Sequence, residues 1–247
     1  MSQEAADEKG GPVKPLRVLA VCTGNICRSP FLEERLAASV AEPTRQFIST
    51  SSAGVQAAFG FGRCDRLPEA LGIPSRPDRN PVQVESGLLE QFDLILALTT
   101  DHRAQLLTIS PGLRTRMFTL IEAASIATLI TASGHALEAA VDGPPVGLNE
   151  HDPLRSVPPL PDGPGERLRW FIKELDAWRG VGSSAIDREV DALLPPAAAE
   201  EPDDRLSVPD PHLSARDIHE QTAKVIELES VRLAAAFDAV VSGVTRG

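Results

Sequence analysis

Short apolar runs alternate with helix-like segments along the first half of the chain. The runs that fit buried strands are 16–22, 47–52, 92–98 and 117–120. Apolar residues with helical spacing follow at 30–40, 67–71 and 101–107. Strands that alternate with helices predict a parallel sheet covered on both faces. We therefore expect an α/β fold, a three-layer αβα sandwich with a four-stranded parallel sheet.

The pattern changes after residue 121. In chain order, the predicted elements are a helix at 123–141, a Pro/Gly-rich loop at 142–165, an amphipathic helix at 166–178, an acidic linker at 187–204 and a long helix at 214–241. The polar residues 1–15 predict a disordered tail. We accordingly divide the chain into this tail, a compact domain built from 16–121 and 206–247, and a helical and loop insertion at 122–205.

Charge is distributed unevenly between the two halves. Residues 1–120 carry 13 Lys/Arg and 13 Asp/Glu, whereas residues 121–247 carry 11 and 22 and hold the whole net charge of −11. Such an acidic chain argues against nucleic-acid binding, because contacts to phosphates need a basic face. Three cysteines are too few for a disulfide scaffold, and neither a signal peptide nor a membrane-spanning apolar run is present. These features predict a globular cytoplasmic protein without a membrane partner.

The stretch 21–30, Val-Cys-Thr-Gly-Asn-Ile-Cys-Arg-Ser-Pro, lies between a predicted strand and a predicted helix. In such a loop, successive backbone N–H groups can point inward, and the helix that begins near Ser29 adds its positive end. The resulting cup suits a tetrahedral dianion such as phosphate, and Arg28 can close it with a bidentate contact. Cys22 lies at its base, where positive surroundings favour a thiolate nucleophile aimed at phosphorus.

This stretch resembles the signature of the low-molecular-weight protein tyrosine phosphatases, including its second cysteine and its Arg-Ser-Pro ending. The resemblance implies that Cys22 forms a phosphocysteine intermediate, and that Arg28 binds phosphate and stabilises the transition state. It also implies that Ser29 donates a hydrogen bond to the Cys22 sulfur, and that Asn25 holds the loop in a strained shape. The remaining residues of the phosphate-binding loop are Thr23, Gly24, Ile26 and Cys27.

A second family feature follows the second strand. Ser52-Ala53-Gly54 matches a Ser-Ala-Gly whose serine hydrogen-bonds the loop asparagine, so we expect Ser52 behind the loop. The family also has an aromatic wall near this point, and Phe59 or its neighbour Ala58 matches that place. Two departures concern support of the loop: segment 74–81 offers no His, and Thr99 replaces an Asp that is common after the third strand.

The reaction implied by the resemblance needs an acid that protonates the leaving group. The family carries this acid as Asp-Pro in a mobile loop before the last helix, and Asp210 in Val-Pro-Asp-Pro matches that place. Asp152, which is also followed by Pro, and Asp204 are the alternatives. Asp152 precedes a long stretch and an extra helix rather than the last helix, and this order favours Asp210.

The cysteines and histidines carry the remaining candidate chemistry. In the family, a pair placed like Cys22 and Cys27 can form a reversible disulfide that protects the nucleophile. Cys64 is isolated in the sequence, and we expect it to be inert. The five histidines do not cluster with cysteines, so we expect no metal ion and no other cofactor.

Three functions fit this set of residues. The first is a phosphatase that acts on a phosphotyrosine-containing protein substrate. The second is an arsenate reductase, because arsenate is an oxyanion of the same shape; reductases coupled to thioredoxin need further cysteines late in the chain, and none follows Cys64. A reductase that passes arsenic to an external thiol needs only one cysteine. The third is a phosphate-binding pseudophosphatase, against which the presence of Cys22, Arg28 and Asp210 argues.

Overall fold

The sheet has four parallel strands. The computed structural model describes residues 14–74, 79–138, 161–180, 192–194, 204–211 and 216–243. The strands are β1 (Leu16–Cys22), β2 (Ile48–Gly54), β3 (Leu94–Ala97) and β4 (Met117–Thr119). Their spatial order is β2-β1-β3-β4, and every neighbouring pair is parallel. The strand that ends in Cys22 therefore has a neighbour on each side.

Helices cover both faces of the sheet. They are α1 (Arg28–Ser39), α2 (Glu42–Arg45), α3 (Arg66–Ala70), α4 (Ser86–Leu89), α5 (Thr100–Ile109), α6 (Leu120–Glu138), α7 (Pro164–Ala177) and α8 (Arg216–Ser242). Buried residues of α1, α6, α7 and α8 form one apolar cluster with one face of the sheet, and those of α4 and α5 form a second cluster with the other face. The predicted αβα sandwich is confirmed.

The side chains of β1 alternate between these two clusters. Val18 and Ala20 belong to the cluster that contains α1 and α8, whereas Leu19 and Val21 belong to the cluster that contains α5. All four are buried, as expected for a strand of a parallel sheet covered on both faces. Both faces need apolar side chains, and the near-continuous apolar run in the sequence therefore predicted this strand correctly.

The carboxyl ends of three strands meet at one edge of the sheet. Cys22 pairs in register with Gly54 of β2, and Val21 pairs with Ala97 of β3. The loops that follow these strands therefore lie beside each other at this edge. In open α/β sheets this is the edge at which ligands bind.

Some element boundaries differ from the sequence-based expectation. β2 continues two residues past its predicted end, because Ala53 and Gly54 still pair with β1. β3 is shorter than the apolar run 92–98, since only four of its residues pair within the sheet. The helices α2 and α4 were not predicted, because four residues are too few to show helical periodicity.

Helices from within the predicted insertion 122–205 contribute to the larger apolar cluster. α6 begins three residues before its predicted start because Thr119 and Glu122 form a capping box. The Glu122 N–H donates to Thr119 Oγ1 (3.1 Å), and the Thr119 N–H donates to a carboxylate oxygen of Glu122 (3.3 Å). Phe171 of α7 packs edge-on against Phe237 of α8, with ring centroids 5.9 Å apart. The division into a compact domain and an insertion stays a prediction.

Several predicted segments fall outside the described residues. They are the tail up to residue 13, the loop from 142 to 160 and most of the acidic linker at 187–204. Within the stretches of chain that the structure does cover, no helix combines the length and the apolar composition that crossing a bilayer requires.

Candidate active site

Asn25 fixes the shape of the loop between β1 and α1. Its backbone φ is +55°, a left-handed conformation that Asn tolerates better than most residues. Its side-chain nitrogen donates to Ser29 Oγ (3.0 Å) and to Ser52 Oγ (2.7 Å), and its Oδ1 accepts from the Val82 N–H (2.9 Å). One buried side chain thus ties the loop to α1, to β2 and to the chain before α4.

The carbonyl groups of this loop face the segment 55–64. The backbone N–H groups of Val55, Gln56, Ala58 and Cys64 donate, at 2.8–3.0 Å, to the carbonyl oxygens of Cys22, Thr23, Gly24 and Ile26 respectively. In a trans peptide the C=O and the following N–H point in opposite directions. The N–H groups that follow these carbonyls are therefore turned toward the concave side of the loop, where an anion would find its donors.

Gly54 allows the loop to lie directly against the end of β2. A Cβ atom at this position would be 2.4 Å from the Thr23 carbonyl oxygen and 2.9 Å from the Asn25 nitrogen. Both neighbours are backbone atoms, so they cannot rotate away as a side chain would. The glycine of the Ser-Ala-Gly motif is therefore required by this close approach of two backbones.

Cys22 is buried at the base of the loop, in contact with Ser29. Its Sγ lies 3.0 Å from Ser29 Oγ, and this oxygen also lies 3.2 Å from the Ala53 carbonyl oxygen. Ser29 accepts a hydrogen bond from Asn25, so its single hydroxyl proton is available for one of these two neighbours. A Cys22 thiolate would draw that proton, whereas a Cys22 thiol would itself donate to Ser29.

Arg28 joins the loop to the predicted acid. Its Nη2 lies 2.5 Å from Asp210 Oδ2, and its Nη1 donates to the Val208 carbonyl oxygen (3.3 Å). The Arg28 side chain is only 4% exposed, whereas that of Asp210 is 52% exposed. Asp210 thus stands at the solvent side of the site, while the guanidinium reaches it from inside.

The segment 207–211 is held at the same edge of the sheet by contacts on both sides. The Val208 N–H donates to the Leu98 carbonyl oxygen (2.7 Å), and Thr222 of α8 donates to the Pro209 carbonyl oxygen (3.2 Å). Asp152 lies outside the described residues. Asp204 begins a short 3₁₀ turn six residues before Asp210.

A cavity of about 430 Å³ lies between the loop, the start of α5 and the segment 207–211. Its lining residues are Thr23, Arg28, Thr99, Thr100, Asp101, His102, Gln105, Ser207, Val208, Pro209 and Asp210. Neither Phe59 nor Ala58, one of which was expected as the aromatic wall, is among them, and Phe59 is 63% exposed. Within the described ranges, no three His, Cys, Asp or Glu side chains could hold a metal ion together.

His102 is a residue of this cavity that the sequence-based reasoning did not identify. Its Nε2 lies 2.9 Å from Thr23 Oγ1, and its Nδ1 lies 2.8 Å from Thr99 Oγ1. Burial, followed by the nearby charge of Arg28, lowers the pKa of His102 from 6.5 to about 4, so its ring is neutral near pH 7. The sequence did contain a sign of this role: His102 lies in the first turn of the helix that follows a buried strand, and that turn lies at the edge of the sheet where ligands bind.

Arg79 supports the loop from behind. Its Nη2 donates to Ser52 Oγ, and its two terminal nitrogens bind the carboxylate of Glu33 at 3.1 and 2.5 Å. Ser52 in turn accepts the hydrogen bond from Asn25. In the segment 74–81, which lacks the expected His, an arginine therefore makes the contact to Ser52.

The sequence suggested that Cys64 is isolated, but in the structure its side chain contacts that of Cys27. Its side chain is hydrogen-bonded to that of Cys27, and its backbone N–H donates to the Ile26 carbonyl oxygen (2.8 Å). This hydrogen bond, with backbone N–H groups at the start of α3, lowers the pKa of Cys64 to about 6. The same contact, with burial, raises the pKa of Cys27. All three cysteines, Cys22 among them, are free thiols.

Comparison with known proteins identifies relatives of the first half of the chain. The family model described as Low molecular weight phosphotyrosine protein phosphatase matches residues 17–128. The low molecular weight protein-tyrosine-phosphatase Wzb of Salmonella typhi is 31% identical over 106 residues, which are 41% of this chain and 66% of Wzb. The protein-arginine-phosphatase of Bacillus subtilis is 35% identical over 108 residues, 42% of this chain and 70% of that protein. The match to Wzb thus spans just under two thirds of its length.

Solved structures share the fold of the part of the chain that the structure describes. A low molecular weight phosphotyrosine phosphatase from Vibrio cholerae O395 aligns with a TM-score of 0.53 at 20% identity, covering 93% of this chain and 99% of that one. The tyrosine phosphatase AmsI of Erwinia amylovora aligns with a TM-score of 0.50 at 18% identity, covering 95% and 98%. At these identities the likeness concerns the fold.

Proposed function

Because the chain belongs to the low-molecular-weight protein-tyrosine-phosphatase family, we propose that it hydrolyses phosphate esters on proteins, with phosphotyrosine as substrate. The observation that supports this proposal most directly is the ion pair between Arg28 and Asp210, since it joins a carboxyl group to the anion-binding loop. The reaction needs a nucleophile, an oxyanion clamp and an acid. Cys22, Arg28 and Asp210 are the residues we assign to these roles.

The first step transfers the phosphoryl group to Cys22. The thiolate attacks phosphorus, the bond between phosphorus and the phenolic oxygen breaks, and Asp210 donates its proton to that oxygen. Inward-facing N–H groups of the loop and the Arg28 guanidinium stabilise the charge on the equatorial oxygens. A phosphocysteine and a free tyrosine side chain are the products.

The second step regenerates the Cys22 thiolate. Asp210, now a carboxylate, takes a proton from a water molecule whose oxygen attacks phosphorus, and the bond between phosphorus and the Cys22 sulfur breaks. Ser29, whose Oγ lies 3.0 Å from that sulfur, donates a hydrogen bond to the departing thiolate and keeps its proton. Inorganic phosphate leaves, and Asp210 is again protonated for the next turnover.

Phosphoarginine is a second candidate substrate, and two observations favour it. One relative is a protein-arginine-phosphatase at 35% identity. The cavity beside Arg28 is also lined by Asp101 and Gln105, whose oxygens suit a guanidinium leaving group better than a phenol ring. Measuring kcat/KM on matched peptides that carry phosphotyrosine or phosphoarginine at one position decides between the two.

Hydrolysis of para-nitrophenyl phosphate tests the proposed function. We expect turnover by the wild-type protein between about pH 5 and pH 8, none by Cys22→Ser, and strongly reduced rates for Arg28→Ala and Asp210→Ala. Absence of turnover by folded wild-type protein would contradict a phosphatase and favour the pseudophosphatase alternative. Consumption of arsenate that depends on an added thiol, without phosphatase activity, would select the reductase. A cytoplasmic location stays a prediction.

A further inference from the structure

A row of three hydrogen-bonded side chains forms one wall of the cavity beside Arg28. Thr99, the N-cap residue of α5, accepts the backbone N–H of His102 on its Oγ1 (3.1 Å). The same oxygen lies 2.8 Å from Nδ1 of the His102 ring, and Nε2 on the other side of the ring lies 2.9 Å from Thr23 Oγ1. All three residues line the cavity, and Thr23 directly follows Cys22 in the chain.

The proton positions in this row depend on which nitrogen of the neutral His102 ring carries the proton. A neutral imidazole has one donor and one acceptor nitrogen. We assign the tautomer in which the Thr99 hydroxyl, whose oxygen accepts a backbone N–H, donates its own proton to Nδ1 as the acceptor. Nε2 consequently carries the ring proton and donates it to the Thr23 oxygen. The hydroxyl proton of Thr23 is thereby left for a ligand in the cavity.

We propose that the Thr23 hydroxyl, oriented by His102, donates a hydrogen bond to an oxygen of the bound phosphoryl group. Thr23 is then a binding residue through its side chain, and His102 is a positioning residue that acts through Thr23. The inference deepens the proposed function, because it concerns how the same site holds a phosphate. It rests on two ring contacts of ordinary length and on the shared cavity that also contains the Arg28 guanidinium.

Binding of inorganic phosphate to the Cys22→Ser protein, measured by calorimetry, tests the role of Thr23 without any turnover. Thr23→Val keeps the shape but removes the hydroxyl, and we expect roughly 10-fold weaker binding, the usual worth of a hydrogen bond to a charged group. Thr23→Ser should restore binding to within about threefold of Thr23. Thr108→Val, an exposed Thr on α5 bonded to its own helix, is the matched control and should bind as before.

A double-mutant cycle tests the action of His102 through Thr23. His102→Ala should weaken phosphate binding several-fold when Thr23 is present, and should have almost no effect in the Thr23→Val background. An undiminished effect in that background would overturn the positioning role. Unchanged phosphate affinity for Thr23→Val would overturn the whole inference.

Nitrogen-15 NMR of the wild-type protein tests the proton assignment without any substitution at His102. The expected result is a neutral His102 ring protonated at Nε2 near pH 7, and protonation at Nδ1 would overturn the assignment. These measurements need no catalysis. A wild-type protein that binds phosphate as predicted but turns over no ester would therefore contradict the proposed function and leave this inference standing.

Discussion

Arg28 and Asp210 lie 182 residues apart in the chain, yet their charged atoms are 2.5 Å apart at the mouth of the loop. A buried arginine thus reaches outward to a half-exposed carboxylate. A phosphate dianion that enters the loop must compete with Asp210 for this guanidinium. If Asp210 is the acid and Arg28 the phosphate clamp, as proposed, catalysis and anion affinity are coupled through this ion pair.

Asp210→Asn should change these two properties in opposite directions. Loss of the proton donor should lower kcat on an aryl phosphate by roughly 10²–10⁴-fold. Loss of the competing charge should tighten inhibition by inorganic phosphate near pH 7, because Arg28 no longer pairs with a carboxylate. Steady-state kinetics with phosphate as inhibitor measures both effects. Asp217→Asn, an exposed carboxylate in the first turn of α8, is the matched control, and a near-normal kcat for Asp210→Asn would move the acid elsewhere.

Arg28→Lys keeps the charge but loses the planar, two-pronged donor. We expect kcat/KM to fall roughly 10²–10³-fold, since an ammonium cannot contact two oxygens in the geometry of a guanidinium. The contact of Arg28 with the Val208 carbonyl would also be lost. Steady-state kinetics on para-nitrophenyl phosphate measures the effect, and a loss of less than about threefold would argue against bidentate binding.

Gly54→Ala should damage the site far more than its small volume suggests. The new Cβ would meet the Thr23 carbonyl oxygen and the Asn25 nitrogen, both backbone atoms, so the loop itself would have to move. We expect a loss of about 1–3 kcal/mol in the free energy of unfolding and a marked loss of phosphate binding. Gly112→Ala, where a Cβ meets nothing within 4 Å, is the matched control. Equal behaviour of the two variants in thermal unfolding and calorimetry would contradict the packing argument.

The buried ring of His102 should make stability depend on pH on the acidic side. Its pKa is lowered from 6.5 to about 4, so between these values the unfolded chain binds a proton that the folded protein excludes. The free energy of unfolding is therefore not reduced by His102 above pH 6.5. As the pH falls below 6.5, the free energy of unfolding decreases by at most about 1.4 kcal/mol per pH unit. Urea unfolding at several pH values should show a weaker dependence for His102→Gln. Identical dependence in both proteins would contradict the assignment.

Oxidation should reveal the contact between Cys27 and Cys64. Peroxide oxidises Cys22 to a sulfenic acid and is itself reduced to water, and the sulfenic acid condenses with the Cys27 thiol to a disulfide and water when Cys27 is available. The hydrogen bond to Cys64 engages Cys27, and it lowers the pKa of Cys64 while raising that of Cys27, so Cys64 is the more readily ionised thiol of the pair. We expect Cys64→Ser to form more of the disulfide between Cys22 and Cys27. Mass spectrometric mapping after peroxide treatment measures the yield of this disulfide. Equal yields in the wild-type protein and in Cys64→Ser would contradict the idea that Cys64 keeps Cys27 from reacting.

The local parts of the site could be predicted from the sequence. Cys22, Asn25 and Arg28 lie within seven residues, between an apolar run and a helix start, so strand, loop and helix follow from nearby residues alone. Asp210 could not be identified from nearby residues, because only the family resemblance relates a distant Asp-Pro to this loop. The structure brings it to Arg28, while its catalytic role stays a prediction.

The supporting contacts could not be predicted in the same way. Arg79 meets Ser52 across 27 residues, and His102 meets Thr23 across 79, so each contact depends on how strands order in the sheet. Cys64 was misjudged for the same reason, because its neighbour Cys27 is remote in sequence and close only through the hydrogen bonds of segment 55–64. The periodicity of apolar residues carries no information about contacts between side chains that are distant in the sequence.

The two-sided attachment of segment 207–211 has a consequence for protein engineering. Val208 is anchored to the end of the sheet and Pro209 to Thr222 of α8, so Asp210 takes its geometry from the scaffold on which it docks. The position of Asp210 therefore depends on these two anchors rather than on the polypeptide that leads to it. A different connector ahead of residue 204 is therefore expected to leave Asp210 beside Arg28.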